Sequence, residues 1–386
     1  MTPTDPAPTA RRTAGDAVPR EVRRDLARVH PLGTPDGDVI RFAGVPLTAP
    51  AGPARAAVRG APGPVPPDDP ARRELAYALY RSWYLRPPGS PPGVPGAPGA
   101  TAADPRTDLV PLLRAAHAGA ERLEEGWVVV ATAPDGSCQV TRDGRWRTVR
   151  PGDYVSIPRP GVPVAPGEVV AVRARDDWGS ADDEFWCTAD PAGGPAPPLG
   201  RAYLHVRPDS VGPVLHGITA ALAATGLRYA LKCPRDARAY DRVDTLVVYH
   251  ARDDARRVRA ALEALHPALV GQALLRDATP PLARRVGPGL AYADDPEGRP
   301  SFGEHRCAAL VPGLLAAAAA GVFHGRAGDR DRRRDLLVDH LLAALRAAGV
   351  DPERPWREPR RRHPATGTTG TTGTTAGGAG EGAGEP

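Results

Sequence analysis

The sequence predicts an α+β protein in which N-terminal helices precede a strand-rich antiparallel middle segment and a further α+β domain. Three observations carry this. The 43 Gly and 47 Pro of the 386 residues concentrate at 1–70, 87–106, 191–200 and 364–386, leaving roughly 250 residues of ordinary globular composition. Residues 71–85 repeat apolar and aromatic side chains at three- and four-residue spacing. Residues 126–173 break into short β-branched or aromatic runs divided by turn residues, and 201–325 mix strand and helix patterns.

In chain order, residues 1–70 are Pro/Ala/Arg-rich without sustained periodicity and read as a mostly disordered extension, with a short ordered piece near Val39–Leu47. The first firm element is a helix over 71–85, carried by Leu75, Leu79 and Trp83 with Tyr77, Tyr80 and Tyr84 and stopped by Pro87-Pro88. A second helix is expected over 108–125. From Gly126 the period changes to two, with turn signals at Pro134-Asp135-Gly136, Asp143-Gly144, Pro151-Gly152 and Pro166-Gly167; this predicts an antiparallel meander or small barrel, with one more strand at 184–188. Strands are then expected at 202–206, 229–232 and 246–249, and helices at 211–225 (closed by Gly226), 253–265, 307–321 and 336–348. The implied organisation is 1–70, a helical start plus β-rich subdomain at 71–190, an α+β domain at 199–325, a C-terminal helix at 326–363 and a disordered Gly/Thr tail at 364–386. The extension and tail lack a core-forming pattern and are expected to be dispensable for chemistry.

Composition narrows the function classes. The run of 18 apolar residues that a membrane helix needs does not occur, and the first 30 residues hold arginines but no apolar signal core, so no membrane partner and a cytoplasmic location are expected. A net charge of +5 spread over 95 charged residues, with no basic block beyond Arg360–Arg362 and no nucleic-acid motif, gives no reason to expect a nucleic-acid partner. The four cysteines, Cys138, Cys187, Cys233 and Cys307, have no metal-ligand or framework spacing, so neither zinc nor disulfides are expected. Walker, G-x-S-x-G, H-E-x-x-H and G-x-G-x-x-G motifs are absent, and no metal or organic cofactor is signalled.

One count stands apart: of the 50 Lys plus Arg, 49 are Arg and one is Lys, Lys232. Drift toward Arg codons replaces a surface Lys at little cost but not a Lys needed as a neutral amine, because Arg stays protonated. Lys232 is either such a survivor or an accident of the drift. Around it lie Tyr203-Leu-His205-Val-Arg207, Leu231-Lys232-Cys233-Pro234, Tyr240-Asp-Arg242-Val-Asp244, Tyr249 and Ser301-Phe302-Gly303-Glu304-His305-Arg306.

These motifs, with Leu79-Tyr80-Arg81-Ser82-Trp83-Tyr84 and the segment opening at Gly126-Trp127, resemble the HopA type-III-effector-like family. Its bacterial members occur in biosynthetic clusters for class V lanthipeptides and thioamitides, where they are associated with lyase chemistry on phosphorylated Ser/Thr. A more remote similarity is to phosphothreonine lyases, which order a strand His, a helix, a strand Lys, an Arg and a strand ending in an aromatic. The same order here is His205, helix 211–225, Lys232, Arg242 and Tyr249. The resemblance implies Lys232 as general base, His205 as general acid and Arg242 as phosphate ligand, with Arg306 as a second ligand.

The chemistry is consistent with that assignment. β-Elimination of phosphate needs a base for the Cα proton, an acid for the leaving group and cations for the dianion, and forked guanidinium groups such as Arg242 and Arg207 suit the last task. Other readings stand beside these. Arg242 and Asp244 flank one residue and suit a structural ion pair; Tyr203, His205 and Arg207 share one strand face, solvated or pocket-lining; His305 is either an alternative acid or a cap of the helix that follows; Tyr249 orients the site or is packing. The expected function is a phosphoSer/phosphoThr lyase acting on a precursor peptide after a separate kinase, with a cyclase as a further partner. The alternative is a non-catalytic peptide-binding or scaffold module.

Overall fold

The computed structural model describes residues 18–29, 32–33, 40–43, 45–47, 69–90, 107–118, 123–156, 163–173, 177–178, 184–190, 194–296, 300–324 and 329–358. The 364–386 tail, the 91–106 part of the Pro/Gly linker and much of 1–70 lie outside them. The architecture is the α+β class expected, with three antiparallel sheets.

Within the N-terminal extension, helix α1 spans Arg20–Leu26, and strands β1 (Leu32–Gly33), β2 (Ile40–Phe42) and β3 (Val45–Pro46) form a small sheet. Strands β2 and β3 fall on the ordered piece expected near Val39–Leu47, whereas α1 and β1 were not expected. Val18, Val22, Leu26 and Val29 are buried at spacings of four, four and three, a helical stripe hidden by the surrounding arginines. Helix α2 (Pro70–Leu79) starts with Pro at its first position and Asp69 accepting from the Ala71 amide. The predicted helix continues to Leu85, but its last turn, Tyr80–Tyr84, is a π-helix.

The second predicted helix is half strand. Helix α3 covers only Val110–Ala116, and residues from Leu123 belong to β4 (Leu123–Thr132). Trp127 and Val129 are buried while Val128 and Val130 are exposed, so the apolar period there is two. Strands β5 (Cys138–Arg142), β6 (Arg145–Val149), β7 (Tyr154–Ser156) and β8 (Val169–Arg173) complete a five-stranded antiparallel sheet, order β6-β5-β4-β8-β7, around Trp127, Val140 and Val170.

The second sheet is longer than the 199–325 segment implies. It contains β9 (Asp177–Trp178), β10 (Phe185–Ala189), β11 (Leu199–Leu204), β12 (Tyr229–Pro234), β13 (Leu246–Ala251), β14 (Arg284–Gly287) and β15 (Leu290–Asp294), in the order β14-β15-β11-β13-β12-β10-β9. The strand predicted at 184–188 therefore joins this sheet and pairs with β12. Helices α4 (Val211–Thr225) and α5 (Ala255–Gly271) pack with α3 on one face, burying Leu215, Ile218 and Leu222. Gly226 ends α4 at φ +64°, which a side chain would strain. Helices α6 (Phe302–Ala319) and α7 (Arg330–Ala347) pack with α1 and α2 on the other face. The stretch from 266 to 289, to which the sequence pattern assigns no element, continues α5 through Pro267 and then supplies β14. Helix α6 starts five residues earlier than read, because Ser301 and Glu304 form a reciprocal capping box. Burial of each large aliphatic side chain contributes about 1.5–3 kcal/mol, so both helical layers are firmly fixed to the sheet that carries the site.

Candidate functional site

Sheet register brings the predicted residues to one face. Lys232 is level with Val247, and Val247 with Tyr203, so Lys232 and Tyr203 project from the same side, and His205, two residues beyond Tyr203, projects there too. His205 extends the pairing past β11, its amide donating to the Gly289 carbonyl at 2.9 Å. Lys232 and His205 are thus two strands and two residues apart, roughly 12 Å between Cα atoms by strand spacing and rise.

At the Lys232 end, its ammonium lies 4.5 Å from the Phe185 ring centroid and the Arg242 guanidinium 4.9 Å from the same centroid. Arg242 grips Asp244 through Nε at 2.5 Å and Nη2 at 3.2 Å, and Nη1 donates to Glu184 at 2.7 Å. Asp244 is buried. Burial alone would raise its pKa, but the Arg242 guanidinium, assisted by Lys232, holds the carboxyl below its ordinary value. Burial likewise disfavours the charge on Arg242, and the Asp244 carboxylate more than restores it.

Asp244 is the hub of the cluster. Its charge acts on Lys232, Tyr80, Tyr84, Tyr203 and His205 as well as on Arg242. The π-turn delivers two of these: Tyr80 and Tyr84 stack at 5.5 Å between centroids, and burial first, then neighbouring charge, raises both phenol pKa values. The Tyr84 and Tyr203 hydroxyls are buried neighbours that act on each other. The Ser301-Phe302-Gly303 motif holds this layer in place: Phe302 packs on both Tyr84 and Tyr203, and a Cβ at Gly303 would collide with the Tyr84 ring.

His205 occupies the other end. Its Nδ1 lies 3.1 Å from the Ala278 carbonyl; a carbonyl only accepts, so Nδ1 carries the proton and Nε2 presents a lone pair. Burial, with the nearby Arg276 cation, lowers its pKa to about 4, against the opposing pull of Ala278, Asp244 and Asp241.

The remaining predicted residues are elsewhere. Arg207 is exposed beside Asp209. Arg306 is fully buried, pairs with Glu358 at 2.7 Å and donates to the Pro355 and Arg357 carbonyls, so it ties down the 355–358 segment; His305 lies 3.8 Å from the same Glu358 and is the fourth residue past the α6 cap, Ser301. Tyr249 lies under the Arg201 guanidinium, 4.8 Å from its ring. Tyr80 and Tyr84 entered the sequence reading as part of a helix and of a family motif but not as site residues, and Glu184 and Arg276 were not singled out. The tyrosines carried a signal there, a stripe also readable as core. Among the described residues no group of three or more His, Cys, Asp or Glu converges as a metal site.

Most of the second sheet also lies within the segment that a known family matches. Residues 182–357 match the HopA1 effector protein family. The HopA1 segment takes in Phe185, His205, Lys232, Arg242, Asp244 and Arg306, and leaves out the five-stranded sheet and the π-turn. Among solved structures, the effector protein from Pseudomonas syringae pv. tomato strain DC3000 is similar at 18% identity and a TM-score of 0.35. The effector from Pseudomonas syringae pv. syringae strain 61 is similar at 19% identity and a TM-score of 0.31. Each match covers 46% of this chain and 65% of the effector, just under two thirds of its length. No curated protein matches the chain.

Proposed function

We propose that the protein is a lyase that eliminates phosphate from phosphoserine or phosphothreonine of a ribosomally made precursor peptide, leaving dehydroalanine or dehydrobutyrine. The observation that carries this reading is the placement of the lone lysine and a buried imidazole on one sheet face, around a single carboxylate clamped by Arg242. Lys232 Nζ, acting as the neutral amine, takes the Cα proton, the released pair forms the Cα–Cβ double bond, and the Cβ–O bond breaks. His205 Nε2 gives its proton to the departing phosphate. The imidazole is neutral when no anion is beside it; an arriving phosphate favours the imidazolium, so substrate itself loads the acid with a proton from solvent or from the phosphate monoester.

Arg242 has its fork committed to Asp244 and Glu184, and its role in this scheme is to fix Asp244 against Lys232. Glu184 is largely exposed, so Nη1 is the one donor of Arg242 that a phosphate can take over. In this reading the protein works in the cytoplasm on the product of a separate kinase, with a cyclase as a further partner. Incubation of the full chain with a synthetic phosphothreonine peptide tests the reading: mass spectrometry should show loss of phosphoric acid, whereas hydrolysis to threonine or an unchanged peptide contradicts it.

A second reading, a non-catalytic peptide-binding module, draws on the five-stranded sheet. Val169, Val128 and Trp146 lie in one row with Thr141 across β8, β4, β5 and β6 and are exposed. Tight binding of unphosphorylated precursor without any elimination would favour it.

A further inference from the structure

A cavity of about 660 Å³ lies between α1, the end of β11 and the 276–285 stretch. Five guanidinium groups line it, Arg24, Arg28, Arg276, Arg284 and Arg285, against three carboxylates. Two of those carboxylates are already engaged: Asp25 accepts from the Leu282 amide at 3.1 Å and Asp277 pairs with Arg285 at 2.7 Å. Arg24 and Arg284 make no ion pair among the described residues, and Arg276 is held by the Tyr240 carbonyl at 3.2 Å. His205 also lines the cavity; it is 1% exposed, and its Nε2 has no hydrogen-bond partner among the described residues. A buried polar atom without a partner calls for an occupant. Here the acceptor–donor nitrogen and the surplus of forked cations suit an oxyanion that carries several oxygens.

We infer that this cavity is a phosphoryl-binding site in which His205 Nε2 and Arg276 contact the oxyanion, and that helix α1, through Arg24 and Arg28, forms one of its walls. The inference deepens the elimination reading and rests on it for the identity of the phosphorylated group. It puts the leaving phosphate beside the acid and away from the committed fork of Arg242. The volume is that of a small-molecule site, enough for a phosphorylated side chain with its neighbouring backbone. Helix α1 is fixed rather than adventitious. The Trp83 indole donates to the Asp25 carbonyl at 3.1 Å, and Val22 and Leu26 are buried in the core shared with α6 and α7.

The test is calorimetric titration of the full chain with inorganic phosphate, with a phosphothreonine peptide and with the same peptide unphosphorylated. It is joined by imidazole NMR of His205. Phosphate and phosphopeptide should bind, the unphosphorylated peptide should not, and both ligands should shift His205 toward its protonated form at fixed pH. Arg276→Ala should weaken binding about tenfold or more, as loss of a charge-assisted fork does. Arg24→Glu, on the exposed side of α1, should weaken it without touching the core, which keeps the test informative if Arg276→Ala unfolds. Arg23→Ala, on the side of α1 facing Asp339, should leave binding unchanged. No phosphate binding, or binding indifferent to both Arg24→Glu and Arg276→Ala, overturns the inference. Binding that obeys these variants in a chain that never eliminates phosphate upholds the site and removes the lyase reading alone.

Discussion

Lys232 and Arg242 meet on the ring of Phe185, and the behaviour of each depends on Asp244. Removing the guanidinium leaves a buried carboxylate unpaired, which costs about 3–5 kcal/mol. Arg242→Ala should therefore lower the unfolding free energy measured in urea by that order, and adding Asp244→Asn should recover part of the loss; an Arg242→Ala protein as stable as the parent would contradict the buried pair. Much of this cluster was legible. The lone lysine stood out by count, His205 and Arg242 by the order along the chain that the family resemblance supplied, and Asp244 as the ion-pair partner of Arg242. Arg276 and Tyr80 were not, because the first is one arginine among 49 and the second lies in a stripe that reads equally well as core. Arg306 illustrates the opposite error: its motif suggested a ligand, yet its partners are residues 355–358, about 50 positions away, and no local pattern announces them.

The π-turn is the element that distinguishes this site from plain helix-on-sheet packing. One extra residue in the last turn re-aims Tyr80 and Tyr84 toward the sheet, a device recurrent at functional sites. Gly303 makes room for it. Gly303→Ala should cost about 1–3 kcal/mol through overpacking and should alter the near-ultraviolet circular dichroism of the tyrosines. An unchanged spectrum and melting temperature would show that the ring has space to move. The meander and the strands flanking α4 were readable from period and turn residues. The π-turn, the truncated α3 and strands β14 and β15 were not: helical spacing does not register one inserted residue, and prolines at 280 and 281 masked the strand that follows them.

Across the whole molecule, helix α1 reverses the expectation that everything before residue 71 is dispensable. A chain beginning at 71 should lose phosphate binding and be less stable, because Val22 and Leu26 leave the core; a truncated chain with full binding and activity would restore the earlier expectation. Acid should also loosen the fold in a defined window. His205 has a folded pKa of about 4 against an ordinary 6.5, so its neutral form contributes stability that is complete above pH 6.5 and lost as pH falls toward 4. The loss is about 3 kcal/mol at the lower end, with Asp244, Asp241, Arg276 and the α1 charges around it. His205→Gln should flatten the melting temperature between those limits, and an unaltered pH profile would mean the imidazole is not held neutral. Replacing Lys232 with Arg keeps the charge while removing the basicity an elimination needs. Wild-type protein and Lys232→Arg, both shown to bind the phosphothreonine peptide, should be compared by mass spectrometry for release of phosphoric acid: with Lys232 as base the rate falls about 10²–10⁴-fold in the variant, and elimination at the wild-type rate would contradict that role.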